Sequence, residues 1–298
     1  MHKIRGIIPP ATTPFTADGA IDFSAHRAQL RWLLDAGVHG LAVGGSTGEG
    51  HTLEIEEFRR LIAETLEEVG DKVPVIAGII VDSTRDAIRR AKAVADLGVA
   101  ALQVTPVHYL FRPHDEAMLA HFRALAEATQ IPVIIYNVVP WSYLSPALLC
   151  RVMREVPGVI GVKQSAGDLK LLADLLLSAR QEDRILSAVD ALLYPSFALG
   201  AHGAIAAILT AAPQSSVALW EAVEAGDHAR ARDLHSRLLH LWNAIAADNL
   251  PACTKFAQTL QGCPGRFPRA PMPAASPEQQ AAIRAALLPL EGEKRLSA

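Results

Sequence analysis

One of the seven lysines in this chain stands where a lysine side chain can become a nucleophile. Lys163 ends the apolar run 159–162 and is followed by a small polar loop, 164–168, whereas the other six precede strands or lie in helical patterns and a polar tail. Burial disfavours the charged form of a lysine, and the free amine can attack a ketone to form a Schiff base. Its position alone favours a nucleophilic Lys163 and a Lys163 that is paired with an acidic side chain equally.

Two further segments carry groups suited to anion binding and proton transfer. In the run 44–50, Gly-Gly-Ser-Thr-Gly-Glu-Gly, backbone amides and the hydroxyls of Ser46 and Thr47 suit a small carboxylate or phosphate. The run lacks the Lys-Ser/Thr pair of a nucleotide-binding loop, so ATP is not expected. Tyr136, near the end of another apolar run, could move protons close to Lys163. Taken alone, it is equally well explained as a buried tyrosine whose hydroxyl is satisfied.

The hydrophobic pattern predicts the elements that must position these residues. Short runs that are apolar on both faces alternate with segments of helical spacing, such as 58–69, which is typical of parallel strands covered by helices. Hydroxyl groups that can accept hydrogen bonds from free backbone amides predict helix starts at Thr52, Ser83 and Ser145. Eight strands are predicted, at residues 4–9, 41–43, 75–78, 102–105, 133–137, 159–163, 185–188 and 203–206.

Eight βα units over about 210 residues predict a (β/α)8 barrel, the TIM-barrel fold of the α/β class. We expect residues 1–210 to form the catalytic barrel and residues 211–298 a helical region packed on it. An open doubly wound sheet is the competing fold, but the turn at 10–14 has no dinucleotide-binding glycines. Reactive groups in a barrel lie at the carboxyl ends of strands, where Lys163 stands. Helices of the second region are predicted at 215–225, 227–247, 254–261 and 276–287, the last with a capping box from Ser276.

The composition excludes several functional classes. Half of the 298 residues are hydrophobic and a fifth are charged, which excludes intrinsic disorder. A net charge of −3 without a basic cluster gives no footprint for nucleic acid or an anionic membrane surface. No apolar run is long enough to span a bilayer, and the first six residues are unlike a secretory signal. Three widely spaced cysteines indicate neither a disulfide framework nor a zinc site, so we expect a cytoplasmic protein.

Together these segments resemble the pyruvate-dependent Schiff-base lyases that include dihydrodipicolinate synthase and N-acetylneuraminate lyase. The likeness covers nearly the whole chain, in the expected order, and is carried by residues 45–49, 136–138, 161–165, 200–206 and 250–262. It implies an aldolase or lyase that needs no cofactor and no metal. It also implies an imine between Lys163 and the ketone of pyruvate or a longer 2-oxo acid, which then condenses with an aldehyde or is cleaved or dehydrated.

The resemblance implies further roles for named positions. Tyr136 would act as general acid and base, with Ser46 relaying the proton. Tyr109, or its neighbour His108, would reach the site of an adjoining subunit, so the family likeness implies a homo-oligomer, either a dimer or a tetramer. The remaining substrate-binding candidates are Thr47, Gly48, Ser165, Asp190 and Ile205.

Departures from the family pattern leave the second substrate open. Synthases of the lysine pathway have an arginine after the segment that corresponds to 136–140, whereas Trp141 stands here and Arg112 is the candidate replacement. Asp190 matches an acid of the sialic acid lyases, but Ala191 follows where they carry glutamate. Trp141 and Tyr143 favour a flatter, more apolar aldehyde. The alternatives are therefore a 4-hydroxy-tetrahydrodipicolinate synthase and a sialic acid or 2-keto-3-deoxy sugar acid lyase.

Three other classes compete with this interpretation. A metal-dependent aldolase requires clustered ligands, and the histidines at 108, 114 and 121 are too widely spaced to share one helical face. A pyridoxal-phosphate enzyme also uses a lysine imine. A non-catalytic ligand-binding descendant of the fold would not need Lys163, Tyr136 and Ser46 together.

Overall fold

The computed structural model describes residues 4–290, which form eight parallel strands with helices between them and further helices after the last strand. No helix in this range is long and apolar enough to cross a membrane. The strands are β1 (Gly6–Ile7), β2 (Leu41–Val43), β3 (Val75–Ile79), β4 (Ala101–Val104), β5 (Val133–Asn137), β6 (Val159–Gln164), β7 (Arg184–Ser187) and β8 (Gly203–Ala204). The helices are α1 (Phe23–Asp35), α2 (Ile55–Val69), α3 (Thr84–Lys92), α4 (Asp115–Thr129), α5 (Pro146–Glu155), α6 (Leu169–Ser178), α7 (Leu193–Ala198), α8 (Ala207–Ala211), α9 (Pro213–Glu224), α10 (His228–Ile245), α11 (Leu250–Leu260) and α12 (Pro277–Leu287).

The strands close into a barrel. Hydrogen bonding runs in the order β1-β8-β7-β6-β5-β4-β3-β2, with every pair parallel. Backbone bonds just beyond β1 join it to β2, from Ala11 N to the Ala42 oxygen (2.8 Å) and from Ala42 N to the Pro9 oxygen (3.0 Å). The predicted (β/α)8 fold is therefore confirmed.

Two apolar layers hold this barrel together. Strands β3, β4 and β5 are buried along their whole length, because the barrel interior covers one face and the helices cover the other. The larger layer lies between strands and helices, and Leu61, Phe122 and Leu175 contribute to it from three different helices. The smaller fills the barrel interior with Ile8, Ala42, Ile76, Ala101, Ile134, Leu186 and Ile205. Close packing beneath the strand ends gives the loops there a rigid support.

Local helix signals predict most boundaries. Ser83, Ser145 and Ser276 accept hydrogen bonds from the first turns of α3, α5 and α12, as predicted. The prediction for Thr52 is wrong. That residue ends a 3-10 turn and donates its hydroxyl to the Glu49 carbonyl, while Glu54 and Glu57 form the capping box of α2.

Helices α9 to α12 correspond to the four predicted helices, although α11 starts at Leu250 rather than at residue 254. Pro251 sits in the first turn of α11, where its missing N–H costs nothing, so the helix extends further back than its apolar pattern indicates. Helix α8 spans residue 210, and α9 packs against both α10 and β1. The division of the chain at residue 210 remains a prediction. Residues 1–3 and 291–298, which belong to the two predicted regions, lie outside the described range.

Candidate active site

Lys163 lies near the carboxyl end of β6, beside Tyr136 of β5 in the parallel register. Its side chain is 4% exposed, and Nζ lies 3.6 Å from the centroid of the Tyr136 ring. No carboxylate among residues 4–290 forms an ion pair with it. These residues therefore do not pair Lys163 with an acid, which was the alternative that its position in the sequence left open.

The loop 44–50 approaches these two residues because glycines let the backbone pass close to neighbouring strands. A Cβ at Gly78 would lie 2.6 Å from the Gly45 nitrogen, and Gly44 has a φ of 73°. The loop brings Ser46 Oγ to 3.2 Å from the Tyr136 hydroxyl. Ser46, Tyr136 and Lys163 thus form a contiguous set of a hydroxyl, a phenol and an amine.

A cavity of about 420 Å³ opens above this set. Its walls include most of the residues that the sequence predicts for catalysis and substrate binding, and they come from the ends of five different strands or the loops after them. That is the position of active sites in (β/α)8 barrels. The predicted residues that line the cavity are Ser46, Thr47, Tyr136, Lys163, Ser165, Asp190 and Ile205.

Asp190 carries a perturbed carboxyl group in this cavity. One of its oxygens accepts a hydrogen bond from the Ile208 backbone nitrogen at 2.7 Å. Removal from water raises the pKa of Asp190 to about 6, although that hydrogen bond and the nearby charge of Lys163 act in the opposite direction. The group can therefore exchange protons close to neutral pH.

Gly48, which the sequence predicts to bind substrate, is not among the residues that line the cavity. Its carbonyl accepts a hydrogen bond of 2.6 Å from Thr13 Oγ1, and a Cβ at this position would lie 2.8 Å from the Ala11 oxygen. Gly48 therefore shapes the loop that carries Ser46 and Thr47.

Val138 lines the cavity, but the candidate residues in the loops after β4 and β5 do not. Tyr109 is 65% exposed, and Arg112 belongs to the same exposed loop, so neither reaches the site of its own chain. Trp141 donates a hydrogen bond to the His108 carbonyl, and the Tyr143 hydroxyl bonds to the Ser165 carbonyl at 3.3 Å. Neither side chain lines the cavity, and the expectation that the two favour a flatter aldehyde stays a prediction.

The wall residues that the sequence did not predict include His51, Asp248 and Met272. His51 directly follows the loop 44–50, so its place in the chain was a usable signal. Asp248 lies between α10 and α11, and Met272 lies in the long connection before α12. These two come to the barrel mouth through packing of the helical region, which leaves no local motif.

A buried ion pair supports the loop from below. Glu49 has a φ of 54° and is fully buried, and its carboxylate accepts hydrogen bonds from Lys255 Nζ (2.5 Å) and from the Arg269 backbone nitrogen (2.8 Å). Burial lowers the pKa of Lys255, while the charge of Glu49 opposes that shift. The pair fastens the loop 44–50 to α11, which the sequence pattern did not indicate.

Comparison with known proteins agrees with this geometry. A family profile described as the dihydrodipicolinate synthetase family matches residues 3–289. This chain belongs to that family. The 4-hydroxy-tetrahydrodipicolinate synthase of Symbiobacterium thermophilum is 38% identical over 290 residues, covering 96% of this chain and 98% of the relative. The protein of the same name from Methanopyrus kandleri is 36% identical over 285 residues, covering 95% of each.

A solved structure extends the likeness to three dimensions. YagE, a prophage protein of the dihydrodipicolinic acid synthase family from E. coli K12 in complex with pyruvate, has a TM-score of 0.91 and 28% identity, covering 96% of this chain and 98% of its own. The predicted family and enzyme class are therefore confirmed. This member of the dihydrodipicolinate synthetase family is a pyruvate-dependent lyase or aldolase of class I.

Proposed function

We propose that Lys163 forms an imine with the ketone of pyruvate or a longer 2-oxo acid. The observation that supports this most directly is a buried amine that has no carboxylate partner in the described chain and lies against Tyr136, itself bonded to Ser46. The free amine of a lysine is a nucleophile that attacks a ketone to form a Schiff base.

The reaction begins when the Lys163 nitrogen attacks the carbonyl carbon of the 2-oxo acid and gives a carbinolamine. Tyr136 donates a proton to the departing hydroxyl, which leaves as water, and Ser46 returns a proton to Tyr136. The hydroxyls of Ser46 and Thr47, with the backbone amides of their loop, hold the carboxylate.

The protonated imine then withdraws electrons from the neighbouring carbon. Loss of a proton from C3 gives an enamine, whose C3 attacks the carbonyl carbon of an aldehyde, and the aldehyde oxygen takes up a proton. The reverse sequence breaks the bond between C3 and C4. Water finally adds to the imine carbon and releases the free amine of Lys163.

The same proposal includes a homo-oligomer, either a dimer or a tetramer, in which Tyr109 completes the proton path of a neighbouring subunit. In support of this, Tyr109, Leu110 and Phe111 are 62–88% exposed on one loop, beside Trp141 at 68%. Exposed apolar side chains grouped in this way are typical of a protein interface. We place the enzyme in the cytoplasm, because its three cysteines are buried free thiols.

A second candidate is 4-hydroxy-tetrahydrodipicolinate synthesis, the activity in the names of the two relatives above. The sequence identity between these relatives and this chain over nearly its full length favours this activity. The segment after Tyr136 argues against it, since Val139-Pro140-Trp141 supplies no arginine and Arg112 does not line the cavity.

The imine is tested by reduction with borohydride in the presence of pyruvate. We expect loss of activity and a covalent adduct on the peptide that contains Lys163, with no adduct in the Lys163→Ala variant. Lys255, also buried but paired with Glu49, should stay unlabelled and serves as an internal control. A folded protein that is reduced with pyruvate and carries no adduct at Lys163 would contradict the proposal.

A further inference from the structure

Two groups that can exchange protons flank the strand that carries Lys163. That strand, β6, lies between β5 and β7 in the barrel. Tyr136 faces the Lys163 amine from β5, whereas Asp190 follows the end of β7 and lines the same cavity. The amine therefore has a phenol on one side and a carboxyl group on the other.

The Asp190 carboxyl group is held by the backbone and not by charged side chains. It lies in a 3-10 turn directly after β7, and the Ile208 nitrogen at the start of α8 donates to one of its oxygens at 2.7 Å. No side chain among residues 4–290 donates a hydrogen bond to it or forms an ion pair with it. Since an ionised carboxyl group offers about four acceptor positions, it is oriented and still able to accept a proton.

The other groups on the cavity wall are less suited to take a proton from bound substrate. Asp190 and Asp248 are the two carboxylates that line the cavity within the described chain. Asp248 and His51 are exposed, and Asp190 is half-buried next to β6. The Tyr136 hydroxyl is bonded to Ser46 and must lose its own proton before it can accept another.

The charge balance of the cavity favours a proton transfer to Asp190. Because the group is removed from water, its pKa lies well above that of an ordinary aspartate, so it is a stronger base. The positive charge of Lys163 acts on this carboxylate, and a protonated imine at Lys163 carries the same charge. Moving a proton from the imine to Asp190 neutralises both groups, which suits a site partly shielded from water.

We propose that Asp190 is the catalytic base that removes a proton from C3 of the imine. The inference rests on the proposed imine at Lys163 and assigns a residue to the step that follows it. As the C3–H bond breaks, its electron pair forms the double bond between C2 and C3. The pair of the C=N double bond moves to the Lys163 nitrogen, and Asp190 takes up the proton. When C3 attacks the aldehyde, Asp190 gives this proton to the aldehyde oxygen.

Exchange of the C3 protons for deuterium isolates this step. Pyruvate is incubated with the enzyme in D2O without an aldehyde, and proton NMR follows the loss of the methyl signal. We expect exchange by the native enzyme and exchange about 10²–10⁴-fold slower in Asp190→Asn, because a positioned base contributes that much. Borohydride with pyruvate should still label Lys163 in this variant, and Asp190→Glu should recover part of the exchange.

Asp71→Asn is the matched control. It removes the same charge from an exposed position before β3, at the other end of the barrel, so exchange should proceed at the native rate.

The outcomes separate this proposal from the one on Lys163. Native exchange in Asp190→Asn would overturn the assignment of Asp190. A folded Asp190→Asn variant that loses the labelling as well would also overturn it, because the residue would then act before the imine exists. Failure of the labelling in the native enzyme would instead remove the imine on which both proposals depend.

Discussion

Tyr136 is the residue that joins the two ends of the proposed proton path, since its ring lies under the Lys163 amine and its hydroxyl contacts Ser46. Tyr136→Phe keeps the ring and removes the hydroxyl. We expect kcat to fall by about 10²–10⁴-fold, because a positioned general acid contributes that much, while slow adduct formation with pyruvate and borohydride persists. Steady-state kinetics and mass spectrometry measure the two effects.

A second tyrosine provides the matched control. The Tyr194 hydroxyl lies 3.4 Å from His228 Nδ1 and does not line the cavity, so Tyr194→Phe should change kcat by no more than a few-fold. Turnover of Tyr136→Phe near that of the native enzyme would exclude Tyr136 as the acid.

Single site residues were predictable from the sequence where a reactive side chain stands at the end of a predicted strand. Lys163 and Tyr136 end apolar runs, and parallel strands carry their carboxyl ends to one mouth, so spacing alone brings them together. Asp248 follows a different rule, since it reaches the mouth through the packing of α10 and α11. No local pattern in the chain reports such a contact.

At the scale of elements, the Glu49–Lys255 pair joins the loop 44–50 to α11. Lys255→Met leaves a buried carboxylate with one donor fewer, and we expect a loss of about 3–5 kcal/mol in the free energy of unfolding. KM for pyruvate should also rise, because Glu49 lies two residues from Thr47. Urea denaturation and steady-state kinetics give the two quantities.

The double variant Glu49→Gln with Lys255→Met separates the charge effect from packing. It removes both charges, so it should be more stable than Lys255→Met alone. A double variant that loses the sum of the two single effects would show that the pair is not coupled.

The order and type of the elements were predictable, and their ends were less so. Strands β1 and β8 are two residues long, although their apolar runs predict six and four residues. In a closed barrel, hydrogen bonds to the neighbouring strands fix where β1 and β8 end. The hydrophobicity of a single segment does not indicate which residues form those hydrogen bonds. The start of α2 shifted for a similar reason, because a 3-10 turn intervenes after the loop 44–50.

For the molecule as a whole, two buried histidines predict how stability depends on pH. Burial lowers the pKa of His26 and of His121 to about 4, and the charge of Arg27 adds to the effect at His26. Unfolded histidine has a pKa of 6.5, so the unfolded chain binds more protons between these values. The stabilisation is complete above pH 6.5 and is lost as the pH falls toward 4.

Each ring should account for about 2 kcal/mol of lost stability between pH 7.5 and pH 5. Urea midpoints of the native protein and of His26→Gln at both values measure the effect, and the variant should lose less on acidification. Asp190, whose pKa is raised to about 6, changes stability in the opposite sense below neutrality and is common to both proteins. Equal losses in the two proteins would exclude His26 as a source of the pH dependence.

Assembly of the whole molecule is tested by complementation, in which two inactive variants are co-expressed and activity is measured. Lys163→Ala lacks the amine, and Tyr109→Phe lacks the hydroxyl that we propose is lent to a neighbour. In a hybrid pair, one site combines Lys163 from one chain with Tyr109 from the other. Random pairing of co-expressed chains should therefore restore about a quarter of native activity per site.

Co-expression of Lys163→Ala with Tyr136→Phe is the control. Both changes then affect a site's own chain, so no hybrid site is complete and activity should stay low. Recovery in neither mixture, or full activity from a monomer in sedimentation experiments, would exclude the shared site.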